Sequence, residues 1–89
     1  MELNTRGRYA VMAMADLAKF GDGQSVPLSA VAQRQRISLD YLEQLFLKLR
    51  RAGLVESVRG RHGGYRLGRS ANEIFVAEIM NAVEEGTRM

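Results

Sequence analysis

The chain has 89 residues, 46% of them hydrophobic, no cysteine and a formal net charge of +3. That length holds one modest core, and the composition is that of a folded chain, which excludes global disorder. No apolar run nears the ~20 residues that span a bilayer, no signal-peptide segment follows the N-terminus, and the missing thiols exclude disulfides and thiolate metal sites; the expectation is a cytoplasmic protein with no membrane partner.

Thr5 is placed to cap a first helix from Arg6 to Phe20, with Tyr9, Met12, Ala13, Leu17 and Phe20 recurring at helical spacing as its buried stripe. Gly21-Asp22-Gly23-Gln24-Ser25 reads as a turn, and Val26-Pro27-Leu28 as a short extended piece, since proline turns its predecessor away from helix. A second helix follows from Ser29 to Arg36, facing Val31 and Ala32 inward. Ile37-Ser38 is a break. Ser38 is a good N-cap, and Asp40 complements the dipole of a third helix running from Leu39 to Ala52. Gly53 sits where a left-handed cap is expected. Leu54 to Val58 reads as a strand, Arg59 to Gly64 as a glycine-rich loop, and Tyr65 to Leu67 as the returning strand. Gly68 to Asn72 connects to a last helix from Val76 to Glu85, with Val76, Ile79, Met80 and Val83 on one face. The expected fold class is mainly α with a small β-hairpin, and its order is that of a winged helix-turn-helix in a single domain.

The chemistry concentrates in the middle of the chain. From Arg34 to Arg69 nine basic residues face three acidic ones, a segment of +6, while the remainder carries −3. Such a dipole attracts phosphate, although a merely solvated surface has the same composition. On the third helix Leu42, Leu45, Phe46 and Leu49 fall on one side at 100° per residue. Asp40, Gln44, Leu47 and Arg51 fall on the other, flanked by Glu43 and Lys48. Glutamine pairs with adenine, carboxylates accept from cytosine, and basic groups meet guanine or phosphate. Ser38 and Tyr41 add hydroxyls at the helix start, where free backbone N–H groups can hold a phosphate. Leu47 reads as packing on a neighbour, with a thymine methyl as the alternative. An amphipathic helix with a wet face would look similar by itself; the short helix before it and the basic hairpin after it favour the DNA reading.

In the loop, Arg59, Gly60, Arg61, His62 and Gly63 combine positive charge with backbone freedom, and arginine at a loop tip enters a narrow minor groove readily. The glycines do not open onto a helix and lack the Lys-Ser/Thr ending of a phosphate-binding loop. His62 is the sole histidine, without co-ligands or a catalytic partner, so neither a metal site nor an enzyme is expected. Glu73, Glu78, Glu84 and Glu85 read as solubilising surface. A winged-helix module that docks on protein, with Leu47 as anchor, is the alternative function.

Several blocks of the chain resemble one family. Leu3-Asn4-Thr5-Arg6-Gly7-Arg8-Tyr9-Ala10-Val11, Ile37-Ser38-Leu39-Asp40-Tyr41-Leu42-Glu43-Gln44-Leu45-Phe46, Ala52-Gly53-Leu54-Val55-Glu56-Ser57-Val58-Arg59-Gly60 and Gly63-Gly64-Tyr65-Arg66-Leu67 are similar, in order and spacing, to the IscR-type bacterial transcriptional regulators. The resemblance implies a homodimeric regulator that reads duplex DNA at a palindromic operator, with half-sites spaced by turns of ~10 bp. It implies that Ser38, Asp40, Tyr41, Glu43 and Gln44 lie near bases and phosphates and that Arg59 serves the wing in the minor groove. Many members sense iron–sulfur status, nitric oxide or cysteine supply. Iron–sulfur members use cysteines after the last helix of this domain, so no cofactor is expected in this chain, and any cluster would be held beyond residue 89. The chain reads as a fragment without the sensory and dimerisation segment, monomeric or weakly dimeric by itself. Arg61 and His62 stand where relatives often carry Pro or Gly, which makes this wing more basic.

Overall fold

The computed structural model describes residues 5–21 and 23–84. The expected turn residue Asp22, and the chain end with Glu85, lie outside the described residues. The elements are α1 (Thr5–Gly21), α2 (Leu28–Gln35), α3 (Leu39–Arg51), β1 (Val55–Val58), β2 (Gly64–Leu67), a 3-10 turn (Ala71–Glu73) and α4 (Val76–Glu84). The strands form one antiparallel hairpin in which Val55 faces Leu67, Glu56 faces Arg66, Ser57 faces Tyr65 and Val58 faces Gly64. A one-residue bridge from Val26 to Tyr65 adds a rudimentary third strand. This is the winged helix-turn-helix arrangement that the sequence predicts, with a brace it did not reveal.

Helix α1 buries Ala10, Ala13, Met14 and Leu17. Of the expected stripe Ala13 and Leu17 are buried, but Met12 and Phe20 are exposed and Tyr9 is only half-buried; Ala10 and Met14 take the inward positions instead. Helix α4 packs along α1 and buries Ile79, Ala82 and Val83. Val76, expected inward, is exposed at the start of α4. Helix α1 begins at Thr5 itself, and α2 begins at Leu28, one residue earlier than predicted.

Both ends of α3 are fixed by local chemistry. The Ser38 hydroxyl oxygen accepts from the Tyr41 N–H at 3.0 Å, satisfying one of the free donors of the first turn. At the other end Gly53 is left-handed, φ 78°. Its N–H bonds the Arg50 carbonyl at 2.9 Å and the Leu54 N–H bonds the Leu49 carbonyl at 3.0 Å. This is a Schellman closure, and its two apolar members, Leu49 and Leu54, are both buried. The inner face of α3 is Leu42, Leu45, Phe46 and Leu49, each at most 1% exposed. Phe46 also meets Tyr65 of β2 edge-on, with ring centroids 4.9 Å apart, which seats the hairpin against the helix.

Helix α2 is held by a polar clamp. The Asp16 side chain on α1 is fully buried. It accepts from Arg34 Nε at 3.0 Å, Arg34 Nη2 at 2.7 Å and Gln35 Nε2 at 3.0 Å. Arg34 in turn lies over the Phe20 ring at 4.0 Å. Burial alone would push the Asp16 carboxyl up; the hydrogen bonds of Arg34 and Gln35, with the charges of Arg34 and Lys19, outweigh it and hold the group below the ordinary carboxylate value. The sign follows from linkage. A depressed folded value contributes stability that is complete above the unfolded value of about 3.9 and is lost as pH falls through the folded one. Asp16→Asn is therefore expected to lower the denaturant midpoint at pH 7 and to lie nearer wild type in acid below about 3.9. Equal gaps at both pH values would contradict an ionised clamp.

Candidate nucleic-acid interface

The outer face of α3 carries Asp40, Glu43, Gln44, Leu47 and Arg51, all exposed, with Lys48 half-buried beside them. Tyr41 is half-buried because its ring packs edge-on against Tyr9, centroids 5.9 Å apart. Ser38 is exposed at the helix start, its oxygen occupied as the cap while its proton stays available to donate. Leu47 departs from expectation. It is 44% exposed instead of packed on a neighbour, an apolar side chain standing in a polar face.

Within the wing loop, residues 59–63, Arg59, Gly60, Arg61 and His62 are exposed and Gly63 is half-buried. The loop closes through Gly63 N–H to the Gly60 carbonyl at 3.0 Å. A Cβ on Gly63 would lie 2.4 Å from the Val58 carbonyl oxygen, so the turn has no room for a side chain there. The Phe46–Tyr65 packing ties α3 to the strand that leads out of the loop.

The charge patch sharpens once partners are counted. Arg34 is held by Asp16, Arg66 by Glu56 across the hairpin at 3.1 Å, and Arg69 by Glu78. Arg36, Lys48, Arg50, Arg51, Arg59 and Arg61 have no carboxylate partner among the described residues. These six lie in the turn after α2, along the last turns of α3 and on the wing. Arg36 holds the turn in a left-handed conformation, φ 58°, unusual for a residue with a side chain. Asp40 and Glu43 likewise have no cation partner among the described residues, so α3 presents two free carboxylates before its basic end.

Glu78, expected to be plain surface, has a local task. It pairs with Arg69 and accepts from the Phe75 N–H at 3.2 Å, at the start of α4. The Arg69 hydrogen bond, then the Phe75 one, holds its carboxyl below the ordinary value. No group of three or more His, Cys, Asp or Glu among the described residues could hold a metal ion. No helix among them is long and apolar enough to cross a membrane.

Known proteins agree with this architecture. Residues 3–89 match the family model Rrf2, described as an iron-dependent transcriptional regulator. The chain is 58% identical over 85 residues to the HTH-type transcriptional regulator IscR of Xenorhabdus nematophila, covering 96% of this chain and 52% of that protein. It is 61% identical over 88 residues to IscR of Cereibacter sphaeroides, covering 96% of this chain and 56% of that protein. The chain thus spans about half the length of these relatives. Among solved structures, CymR, the global cysteine regulator of B. subtilis, superposes with a TM-score of 0.88 at 40% identity, over 94% of this chain and 65% of that one. IscR of T. potens superposes with a TM-score of 0.88 at 44% identity, over 100% of this chain and 65% of that one. These relatives are named as regulators, not enzymes, and the chain belongs to the Rrf2 family of transcriptional regulators.

Proposed function

We propose that this chain is the DNA-reading part of a cytoplasmic transcriptional regulator, with α3 in the major groove and the wing in or near the minor groove. The observation that carries the reading is the division of the cations. Arg34, Arg66 and Arg69 serve the fold, whereas Arg36, Lys48, Arg50, Arg51, Arg59 and Arg61 are left for an external anion. Phosphate contacts of this kind position a protein on duplex DNA, and base edges supply specificity. Asp40, Glu43 and Gln44 are the base readers, Ser38 and Tyr41 support them at the helix start, and Lys48 and Arg51 reach backbone or guanine. Carboxylates near phosphates weaken indiscriminate binding, so Asp40 and Glu43 act partly by exclusion. Arg59 and Arg61, with Gly60, His62 and Gly63 shaping the loop, make the wing contact. The partner is a palindromic operator bound by a homodimer. A cysteine-ligated cluster does not fit the residues present, since the chain has no cysteine.

Selection from a random-sequence duplex pool tests the reading. The chain is expected to enrich a defined half-site. Glu43→Ala is expected to relax preference at one base position by about tenfold, within the 1–3 kcal/mol that a good base contact discriminates. Recovery of an unenriched pool, or an unchanged preference in Glu43→Ala, would contradict base reading by α3.

A further inference from the structure

The wing loop is tied down from outside its own hairpin. Ser25, in the connection before α2, donates its hydroxyl proton to the His62 carbonyl, 37 residues away. The next residue, Val26, exchanges two hydrogen bonds with Tyr65. Its N–H reaches the Tyr65 carbonyl at 2.7 Å, and the Tyr65 N–H reaches the Val26 carbonyl at 2.9 Å. Pro27 then caps α2. Three consecutive residues therefore connect the wing tip to the start of the helix-turn-helix.

A two-stranded hairpin is marginal alone, and this loop carries glycines at 60 and 63. Among the described residues, Ser25 supplies the one side-chain hydrogen bond to residues 59–63. The carbonyl it holds lies between Arg61 and the Gly63 turn, so fixing it fixes the direction in which the wing side chains leave the loop. A loop already held in its bound shape loses less freedom on binding.

We infer that Ser25 is a positioning residue for DNA binding: through the His62 carbonyl it holds the wing so that Arg59 and Arg61 are presented together to the duplex. The inference rests on the wing reading above. Its test is a double-mutant cycle on a duplex recovered by the chain itself from the random pool. Ser25→Ala is expected to weaken binding about three- to tenfold, the range of one hydrogen bond. Ser25→Thr, which keeps the hydroxyl, is expected to restore most of the loss. In an Arg59→Ala, Arg61→Ala background the Ser25→Ala effect should shrink below about twofold, while in a Gln44→Ala background it should persist in full. A general loss of stability would act alike in both backgrounds. Wild-type affinity in Ser25→Ala, with Arg59→Ala still impaired, would overturn this proposal alone, as would an undiminished effect without the wing arginines. Wild-type affinity in the arginine double variant would overturn the wing reading and this proposal with it.

Discussion

Gly64→Ala is expected to cost about 3 kcal/mol or more and to lower the melting temperature by roughly 15 °C, at the 4–8 °C per kcal/mol typical of a domain this size. Two effects add. Gly64 has φ 151°, in the region that residues with a Cβ avoid. A Cβ there would also lie 2.3 Å from the Val26 carbonyl oxygen, 2.4 Å from the Val26 carbonyl carbon and 2.7 Å from Pro27 N, all backbone atoms that cannot swing aside. The Val26–Tyr65 bridge must therefore open, loosening the wing from the turn before α2. Gly60→Ala is the control. Its φ of 114° is strained for alanine, but nothing lies within 4 Å of the added atom, so its loss should be the smaller. Thermal melts of the two variants beside wild type check the ranking. Equal losses, or a Gly64→Ala chain that melts with wild type, would contradict the close approach.

Replacing Arg59 and Arg61 together by alanine is expected to have the largest effect on binding, about 10- to 100-fold in affinity. Each removes a cation without a carboxylate partner among the described residues, so stability should change little. The same change at Arg66 and Arg69 should cost less affinity, since those guanidiniums are engaged by Glu56 and Glu78, and, as their pairs are exposed and screened, little stability. Direct titration of a labelled duplex at one salt concentration separates the pairs. Equal losses from both would mean that internal pairing does not decide which arginines reach DNA.

Helix α3 was legible because its signals are local: Ser38, the four-residue apolar stripe and Gly53 lie within one short segment and agree on both ends. The hairpin was legible for the same reason. Helix α1 showed its period and only part of its phase: Ala13 and Leu17 turn inward, but Tyr9, Met12 and Phe20 are apolar at helical spacing too, and only packing against the rest of the fold selects Ala10 and Met14 over them. Partners distant in sequence were hidden. Asp16 and Arg34 are 18 residues apart, and Ser25 and His62 are 37 apart, with no periodicity to join them. The Glu56–Arg66 pair could have been found, since a hairpin closed around residues 59–63 puts them opposite. The raw charge count overstated the patch, by including three arginines that the fold itself uses. Leu47 shows the same limit from the apolar side: spacing put it outward, and only the structure shows it 44% exposed.

The most direct measurement is the salt dependence of duplex binding, for wild type and for the Arg59→Ala, Arg61→Ala chain. Each neutralised phosphate releases counterions and contributes about −0.9 to the slope of log K against log salt concentration. With six unpartnered cations on the turn, α3 and the wing, a wild-type slope steeper than about −3 is expected, flattened by about two in the double variant. A slope near zero, no binding at the lowest salt, or a double variant with the wild-type slope would contradict an interface built from these residues.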